Sequence, residues 1–268
     1  MILHPGVGED CSAVVVNEDE ALVFSTDPIT GTDKGIGNLA VHITANDLAP
    51  SGAEPIGIMT TIILPDGTRE IKLRRIMEEI ETACLSLGIE IMGGHTEISD
   101  AVNRPIINVT GEIVSTGGLK PGDEIVMTKW AGLEGTSIIA AEKEEKLRET
   151  LPQELIDVAK GFKEYLSVIP ESKIAMEVGV SAMHDVTEGG VFGALWELGE
   201  ASGVGITAHL DKIPIKQETI EVCEVFHLNP YMLISSGSMM IGCEKGNLLV
   251  EKLNEAGINA AVIGRATE

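Results

Sequence analysis

Apolar and polar positions divide the first part of the chain into short strands and two helices. Residues 12–16 and 21–25 are β-branched runs separated by a polar turn, which predicts a β-hairpin. Small and apolar residues dominate residues 35–48 and predict a closely packed helix. Apolar residues three and four apart over residues 69–87 predict an amphipathic helix, for which Gly88 is a typical C-terminal cap.

Shorter apolar runs and further periodic stretches complete the pattern. In the first half they predict strands over residues 56–64, 89–92 and 106–114. In the second half they predict helices over residues 136–149, 153–165, 172–178, 191–201, 217–226 and 247–256, and strands over residues 124–128, 205–209, 238–243 and 260–263. Strands and helices mix without a regular βαβ alternation, which predicts an α+β fold in both halves.

One segment is rich enough in turn-forming residues to be a linker between domains. Residues 115–123 combine three glycines, a proline and small polar residues. A chain of 268 residues is long enough for two domains of ordinary size. We therefore expect an N-terminal domain over residues 1–117 and a C-terminal domain over residues 118–268.

The composition narrows the functional classes. Only 3% of the residues are aromatic, so aliphatic side chains and methionine must form the core. The 42 acidic residues against 19 lysines and arginines give a formal net charge of −23, which repels the phosphate backbone of a nucleic acid. Nucleotide binding remains compatible with this charge, because carboxylate-bound divalent cations can neutralise phosphates locally.

The cysteines and the apolar stretches indicate the cellular compartment. Cys11, Cys84, Cys223 and Cys243 are far apart and form no CxxC pair, so neither a zinc site nor a disulfide framework is expected. No apolar stretch reaches the length of a membrane span, and the first residues do not form a signal peptide. The sequence predicts a cytoplasmic protein that does not bind membranes.

Four acidic or glycine-rich segments stand at the ends of predicted strands or helices. They are residues 6–10, 25–28, 45–48 and 93–97. Each alone is weak evidence, because an Asp after a strand is more often a turn or cap residue and a glycine pair more often marks a turn. Together they supply the hard oxygen ligands that Mg²⁺ requires.

These segments resemble those of an ATP-dependent superfamily. Gly8-Glu9-Asp10 followed by Ala13-Val14, Thr26-Asp27, the segment that starts with Asn46-Asp47-Leu48-Ala49, and residues 184–190 occur in the family's order and spacing. The chain is similar to the aminoimidazole ribonucleotide synthase-related superfamily, which includes thiamine-monophosphate kinase, selenophosphate synthetase and the hydrogenase-maturation protein HypE. Within it, the chain is most similar to the HypE and aminoimidazole ribonucleotide synthase branch.

The resemblance implies a fold, an assembly and a ligand. It implies a two-domain α+β fold, in which the N-terminal domains of a homodimer form a shared β-barrel and the C-terminal domain is an α/β sandwich. It also implies ATP and Mg²⁺ as cofactors. The implied metal ligands are Asp10, Asp27, Asp47 and Glu9. The implied nucleotide-binding residues are Gly8, Asn46, Gly93, Gly94, Thr96, Gly189 and Gly190, and the implied catalytic residues are Asp47, Asp185 and His95.

The chain departs from the family in three places. His95 stands where the relatives usually have a carboxylate, which implies one metal ligand fewer, although a neutral imidazole can still bind metal or phosphate. The last cysteine is Cys243, whereas HypE uses a cysteine at its C-terminal end, so carbamoyl dehydration on a tail thiolate is not expected. The chain also begins at the glycine-acid motif, which disfavours selenophosphate synthesis.

The resemblance implies a Mg-ATP-dependent ligase, kinase or dehydratase that phosphorylates or activates a small acceptor molecule. Two alternatives stay open. One is a non-catalytic dimeric scaffold that binds nucleotide or metal, which His95 favours. The other is a hydrogenase-maturation accessory protein that acts with a partner protein carrying the reactive cysteine.

Overall fold

The structure, a computed structural model, describes residues 2–3, 11–15, 21–51, 55–111 and 118–268. In these ranges the chain forms two β-sheets, each with helices packed against it. The strands are β1 (Ile2–Leu3), β2 (Cys11–Val15), β3 (Ala21–Ile29), β4 (Gly57–Pro65), β5 (Glu90–Ser99), β6 (Ile106–Gly111), β7 (Glu124–Thr128), β8 (Ala182–Asp185), β9 (Gly205–Ala208), β10 (Met239–Cys243) and β11 (Ala260–Thr267). The predicted α+β class is confirmed.

The helices connect these strands. They are α1 (Ile36–Leu48), α2 (Glu70–Leu87), α3 (Leu133–Glu142), α4 (Glu144–Leu147), α5 (Gln153–Gly161), α6 (Ile169–Val178), α7 (Gly190–Ser202), α8 (Gln217–Phe226) and α9 (Gly246–Glu255), with 3₁₀ turns at Ala49–Ser51, Phe162–Tyr165 and Leu210–Lys212. The helix predicted over residues 136–149 is two helices, because Lys143 leaves helical geometry at φ −117° and ψ 23°.

The first sheet has the strand order β1-β2-β3-β6-β4-β5. The predicted hairpin is β2 and β3, which pair antiparallel, whereas β4 and β5 pair parallel and are joined by α2. Ile58, Ile62 and Leu64 alternate along β4 and are buried in one core with Ile76 and Ile80 of α2. One face of this sheet is therefore covered by α1 and α2.

Strand β5 is longer than the sequence predicts. A strand ending at residue 92 is expected, but β5 continues through Gly93-Gly94-His95-Thr96-Glu97 to Ser99. The parallel register with β4 shifts between Ile58 and Met59, so that Met92 is the extra residue of a bulge and pairing then resumes. The glycine pair lies inside the sheet instead of in a turn after it.

The second sheet has the strand order β8-β10-β7-β11-β9, and all its neighbours pair antiparallel. Met127, Met239, Met240 and Ile241 are fully buried in its core, where flexible methionine side chains fill the space that scarce aromatic residues leave.

The two sheets are held together by polar contacts at the end of α1. Asn46 donates from Nδ2 to the Leu166 carbonyl oxygen over 2.5 Å and accepts from the Val168 N–H over 3.0 Å. Ser172 Oγ donates to the Ala49 carbonyl oxygen. Because both ends of the buried Asn46 amide are used, α1 has a fixed position against the second sheet.

Candidate functional site

Asp27 and Asp47 lie on the same side of the first sheet. Ser25 and Ile29 of β3 point toward the helices and are buried, so Asp27, which lies between them at a spacing of two, points the same way. Ser25 Oγ donates to Asp47 Oδ2 over 2.9 Å, and Asp47 is 7% exposed in the last turn of α1. The structure thus places two of the predicted metal ligands beside the same strand.

The other predicted residues of the glycine-acid motif cannot be placed. Gly8, Glu9 and Asp10 lie outside the described residues. Within the described ranges, no three histidine, cysteine or acidic side chains are close enough to hold a metal ion together. Of the four expected metal ligands the structure describes Asp27 and Asp47, and the Ser25 hydroxyl lies beside Asp47.

His95 does not approach these two carboxylates within one chain. The register places Asp27, Val109, Thr60 and Gly94 in one row across the sheet, and His95 belongs to the neighbouring row. Adjacent rows point to opposite faces, so His95 and Asp27 are on different sides of the sheet. His95 is exposed on the edge strand, where its Nε2 lies 3.4 Å from Glu97 Oε2.

Gly94 and Gly190 are glycines for reasons of packing. A Cβ atom on Gly94 would collide with the Thr60 carbonyl oxygen of the adjacent strand. Gly190 has a φ of 60°, and its Cβ would lie 2.6 Å from the Leu233 carbonyl oxygen. Both contacts explain why a side chain is excluded there. Gly93 and Thr96 lie on the exposed part of β5, and Gly189 is the left-handed cap that precedes α7.

A cavity of about 460 Å³ opens where the two sheets meet. Its walls come from the end of β3, from α1, and from three segments of the second domain. These residues are Asp27, Pro28, Ile29, Thr30, Gly31, Leu39, Ile43, Glu134, Gly135, Ile138, Ile139, Thr187, Glu188, Leu233, Ile234 and Ser236. We call this space the acidic cavity.

The acidic cavity meets the start of α3 and lies next to the start of α7. Glycines in left-handed geometry precede both helices, Gly132 at φ 73° and Gly189 at φ 80°, and neither helix has a side-chain cap. A helix N-terminus presents backbone N–H groups and a partial positive charge, which favour a bound anion. This arrangement can hold phosphate oxygens between the domains.

Asp185 lies at the end of β8, two residues before Thr187, which lines the cavity. It is 1% exposed and pairs across the sheet with Met239. The preceding His184 is also buried, and its Nε2 lies 2.9 Å from Glu197 Oε2. This hydrogen bond lowers the pKa of Glu197, so a carboxylate supports the histidine beside Asp185.

Glu134 is a candidate site residue that sequence reasoning missed. It is 2% exposed and lines the acidic cavity in the first turn of α3. Burial raises the pKa of its carboxyl to about 7, the Ser236 hydroxyl opposes this rise, and the negative charges of Glu188 and Asp185 add to it. The sequence predicts a helix that begins at residue 136, which leaves Glu134 outside it. The nearby Gly132 and Gly135 are the only local signal in the sequence.

A larger cavity of about 1090 Å³ lies on the other side of α1. Its charged lining mixes lysines and glutamates, including Lys34, Glu79, Lys160 and Glu164. None of the residues predicted from the sequence motifs lines it. The acidic cavity is the better candidate site, because it joins Asp27 to the motif of residues 184–190.

The cysteines with described side chains are not reactive. Cys84, Cys223 and Cys243 are buried and free, and burial raises the pKa of each thiol to about 11. A thiol with so high a pKa is almost entirely protonated at neutral pH, and the thiolate is the nucleophile. These three side chains therefore serve as core residues.

Comparison with known proteins matches both halves of the chain to one family. Residues 8–112 match the description "AIR synthase related protein, N-terminal domain", and residues 120–268 match the C-terminal domain of the same description. A protein of Methanocaldococcus jannaschii named for hydrogenase expression and formation is 30% identical to this chain. The aligned region covers 97% of this chain and 80% of that protein. Carbamoyl dehydratase HypE of Escherichia coli K12 is 28% identical over 96% of this chain and 79% of its own.

Solved structures have the same fold. The crystal structure of E. coli HypE superposes with a TM-score of 0.79 at 26% identity, covering 91% of this chain and 79% of the other. A structure of HypE in complex with ATP gives a TM-score of 0.76 at 25% identity, covering 91% and 76%. The two-domain fold implied by the sequence motifs is confirmed. No helix in the described part of the chain is long and apolar enough to cross a membrane.

Proposed function

We propose, because the chain belongs to the AIR synthase related protein family, that it is a Mg-ATP-dependent enzyme that phosphorylates or activates a small acceptor molecule between its two domains. The observation that supports this proposal is the cavity between the two domains. Asp27 from the first domain and Glu134 and Glu188 from the second line the same cavity, beside the starts of α3 and α7. A relative of the same fold has been solved with ATP.

The side chains beside β3 fit a divalent cation. Asp27, Asp47 and the Ser25 hydroxyl offer oxygen ligands, which Mg²⁺ prefers, and Glu9 and Asp10 are expected to join them. A bound Mg²⁺ would offset the negative charge of the phosphates in a cleft whose own side chains are acidic. This assignment explains how a chain of net charge −23 can accept ATP.

The remaining residues would orient the reactants. The N-terminus of α7, with Gly189 and Gly190, would face the transferred phosphoryl group with backbone donors. Asp185, held at the end of β8, would contact the acceptor or the phosphoryl group from the second domain. Asn46 would act indirectly, because its hydrogen bonds to Leu166 and Val168 hold neighbouring Asp47 against that domain.

Replacement of Asp47 tests the proposal. We expect the full-length protein to bind ATP in the presence of Mg²⁺. Asp47→Ala should weaken this affinity by about tenfold or more, because loss of a residue that only supports a metal ligand already weakens metal binding by about 10- to 100-fold. Isothermal titration calorimetry with and without Mg²⁺ measures the effect. The control is Asp211→Ala, which removes an exposed carboxylate from a 3₁₀ turn. Equal affinity for wild type and Asp47→Ala would contradict the proposal.

A non-catalytic scaffold is the first alternative. It is favoured by His95, which carries no negative charge and lies on the face opposite Asp27. A scaffold would bind ATP without Mg²⁺-dependent turnover in the presence of any acceptor tested. Release of ADP that depends on Mg²⁺ and on Asp47 would reject this alternative.

A maturation accessory protein is the second alternative. It is favoured by the buried thiols of Cys84, Cys223 and Cys243, because none of these three described side chains offers a reactive thiolate, which a partner protein would then supply. The names of the similar proteins in M. jannaschii and E. coli point to hydrogenase maturation. Co-purification with hydrogenase-maturation factors from the source cell tests this reading, and failure to recover any of them would count against it.

We also propose that two copies associate through the first sheet. None of the described helices packs on its outer face, which exposes Phe24 and Met59, and its edge strand β5 exposes Met92 and Ile98. A second copy would cover these apolar residues and pair with an open edge, as the shared β-barrel implied by the family resemblance requires.

A further inference from the structure

The cavity of about 1090 Å³ on the other side of α1 has the size and the walls of a second binding site. We call it the large cavity. Helices α1 and α2 line it from the first domain, and α3, α5 and the 3₁₀ turn Phe162–Tyr165 line it from the second. Leu39, Leu87 and Leu166 give it apolar walls that suit the carbon skeleton of a small organic molecule.

Two polar side chains of α1 line the large cavity without hydrogen-bond partners in the described part of the chain. Asn38 and His42 are four residues apart, so they lie on the same face of the helix. Both residues are partly buried, and neither side chain forms a hydrogen bond with any described residue. Polar groups that are withdrawn from water are normally hydrogen-bonded, so this pair points to a bound molecule that supplies the partners.

Asn38 and His42 each offer both a donor and an acceptor. The Asn38 amide has N–H donors and a carbonyl oxygen side by side. Burial, together with the positive charge of Lys129, lowers the pKa of His42 to about 4, so its imidazole is neutral at neutral pH and has one donor and one acceptor. A ligand that carries a donor and an acceptor close together matches this pair.

Part of the charged lining is neutralised within the protein. Arg75 lies 3.3 Å from Glu79, and Lys160 lies 2.6 Å from Glu144. These four side chains form ion pairs of opposite sign, so they do not favour either sign of charge in a ligand.

The other charged side chains of the lining also have both signs. Lys163, Glu78 and Glu164 form no ion pair with the described residues, and Lys34 donates to the Ala141 carbonyl oxygen instead of to a carboxylate. A purely anionic ligand would be repelled by the two glutamates, and a purely cationic ligand would be repelled by the two lysines. A zwitterion can place each of its charges beside the opposite one.

We propose that the large cavity binds an α-amino acid with an apolar side chain. The ammonium group would donate to the Asn38 carbonyl oxygen, and the carboxylate would accept from the Asn38 amide and from Lys163. The side chain of the ligand would pack against Leu87 and Leu166. This site is separate from the acidic cavity, and its assignment does not depend on the proposed ATP-dependent activity.

Three probes that share one aliphatic skeleton test the selectivity. L-Leucine carries both charges, 4-methylpentanoate carries only the carboxylate, and 3-methylbutylamine carries only the ammonium group. We expect wild-type protein, without ATP, to bind leucine about tenfold more tightly than either of the other probes, because only leucine forms charge-assisted hydrogen bonds of both kinds. NMR titrations measure the three affinities. If leucine does not bind, or if a singly charged probe binds as tightly, the proposal is wrong.

Two variants test the contribution of α1. Asn38→Leu replaces the amide with an apolar group of similar size and should weaken leucine binding by about tenfold. Asn254→Leu makes the same replacement at an exposed position of α9, outside the large cavity, and should leave the affinity unchanged. Equal affinity of Asn38→Leu and wild type for leucine would contradict the proposed contacts.

A measurement on wild-type protein locates the ligand and does not depend on the folding of any variant. With the methyl groups of isoleucine and leucine labelled in the protein, added leucine should shift the resonances of Leu87 and Leu166. Those of Leu233 and Ile234, which line only the acidic cavity, should stay in place. Shifts confined to Leu233 and Ile234 would overturn the proposal. Because none of these experiments uses ATP, their failure leaves the ATP-dependent function to be judged by the Asp47→Ala titration.

Discussion

At the scale of single residues, Glu134 and Asp47 have opposite energetic roles. Asp47 is buried with a hydroxyl donor, Ser25, at hydrogen-bonding distance. Glu134 is buried beside other carboxylates, and its pKa rises as a result. A carboxylate kept in such an environment lowers stability, and clefts that bind ligands are where such groups are found.

The stability of the protein should depend on pH through Glu134. Below the ordinary pKa of 4.5 its carboxyl is protonated in both the folded and unfolded states; between 4.5 and about 7 only the unfolded state ionises. The free energy of unfolding therefore falls as the pH rises through this window, by about 3 kcal/mol in total at about 1.4 kcal/mol per pKa unit. Glu134→Gln should abolish this loss and be more stable than wild type at about pH 8.

Urea denaturation at about pH 5 and about pH 8 measures this difference. The gain in stability from Glu134→Gln should shrink toward the lower pH, where the wild-type carboxyl is protonated in the folded state. Glu177→Gln is the matched control, because its side chain is exposed. A pH dependence that Glu134→Gln leaves unchanged would show that the carboxyl is not buried as described.

At the scale of elements, a buried ion pair joins β7 to α6. Lys129 follows β7, contacts Glu171 of α6, and donates to the carbonyl oxygens of Ser167 over 2.6 Å and Gly237 over 3.0 Å. Burial lowers the pKa of Lys129 and raises that of Glu171, and their mutual attraction opposes both shifts. The Lys129 contacts therefore fix the position of residues 166–168, whose backbone also forms hydrogen bonds with Asn46 of α1.

Loss of Lys129 should destabilise the protein strongly. Lys129→Met would leave the Glu171 carboxylate buried without its cation, which costs about 3–5 kcal/mol in the free energy of unfolding. The double variant Lys129→Met/Glu171→Leu should recover much of this loss, because no buried charge remains. Urea denaturation of both variants measures the coupling between the two side chains.

An exposed ion pair supplies the control for this experiment. Lys252 and Glu255 of α9 form a pair at 3.2 Å on the surface, and Lys252→Met should change stability by about 0–1 kcal/mol. If Lys129→Met were no worse than Lys252→Met, the buried pair would not hold β7 and α6 together.

At the scale of the whole molecule, the first sheet has two different faces. The inner face packs on α1 and α2 and carries Asp27, whereas the outer face carries His95 and exposed apolar side chains. One sheet thus separates the candidate metal ligands from the surface proposed to pair with a second copy. If that pairing occurs, His95 lies at or beside the interface between copies.

A charge on the outer face should prevent this association. Met59 is 56% exposed at an outward position of β4, and Met59→Lys would place an ammonium in the apolar contact. We expect wild-type protein to sediment as a dimer and Met59→Lys to sediment as a monomer at the same concentration, measured by analytical ultracentrifugation. Ile71→Lys, at an exposed apolar position of α2, should remain dimeric. A dimeric Met59→Lys would contradict the proposed interface.

Much of the fold followed from local patterns. The periodicity of residues 69–87 predicts α2, and the hairpin of β2 and β3 follows from two β-branched runs and a polar turn. The predicted boundaries of helices and strands were wrong where contacts between residues distant in the chain override the local sequence pattern. Strand β5 continues past its glycine pair because β4 pairs with it, and α3 begins three residues earlier than predicted, directly after Gly132 in left-handed geometry.

The sequence by itself determined the family, the fold class and the acidic and glycine-rich motifs, because residue order and local periodicity are properties of the chain. Only the tertiary structure decided which motif residues meet. It brings Asp27 toward Asp47 and turns His95 to the other face, because side chains on adjacent rows of a strand point in opposite directions. It also buries Glu134, because exclusion of water depends on packing between residues distant in the chain.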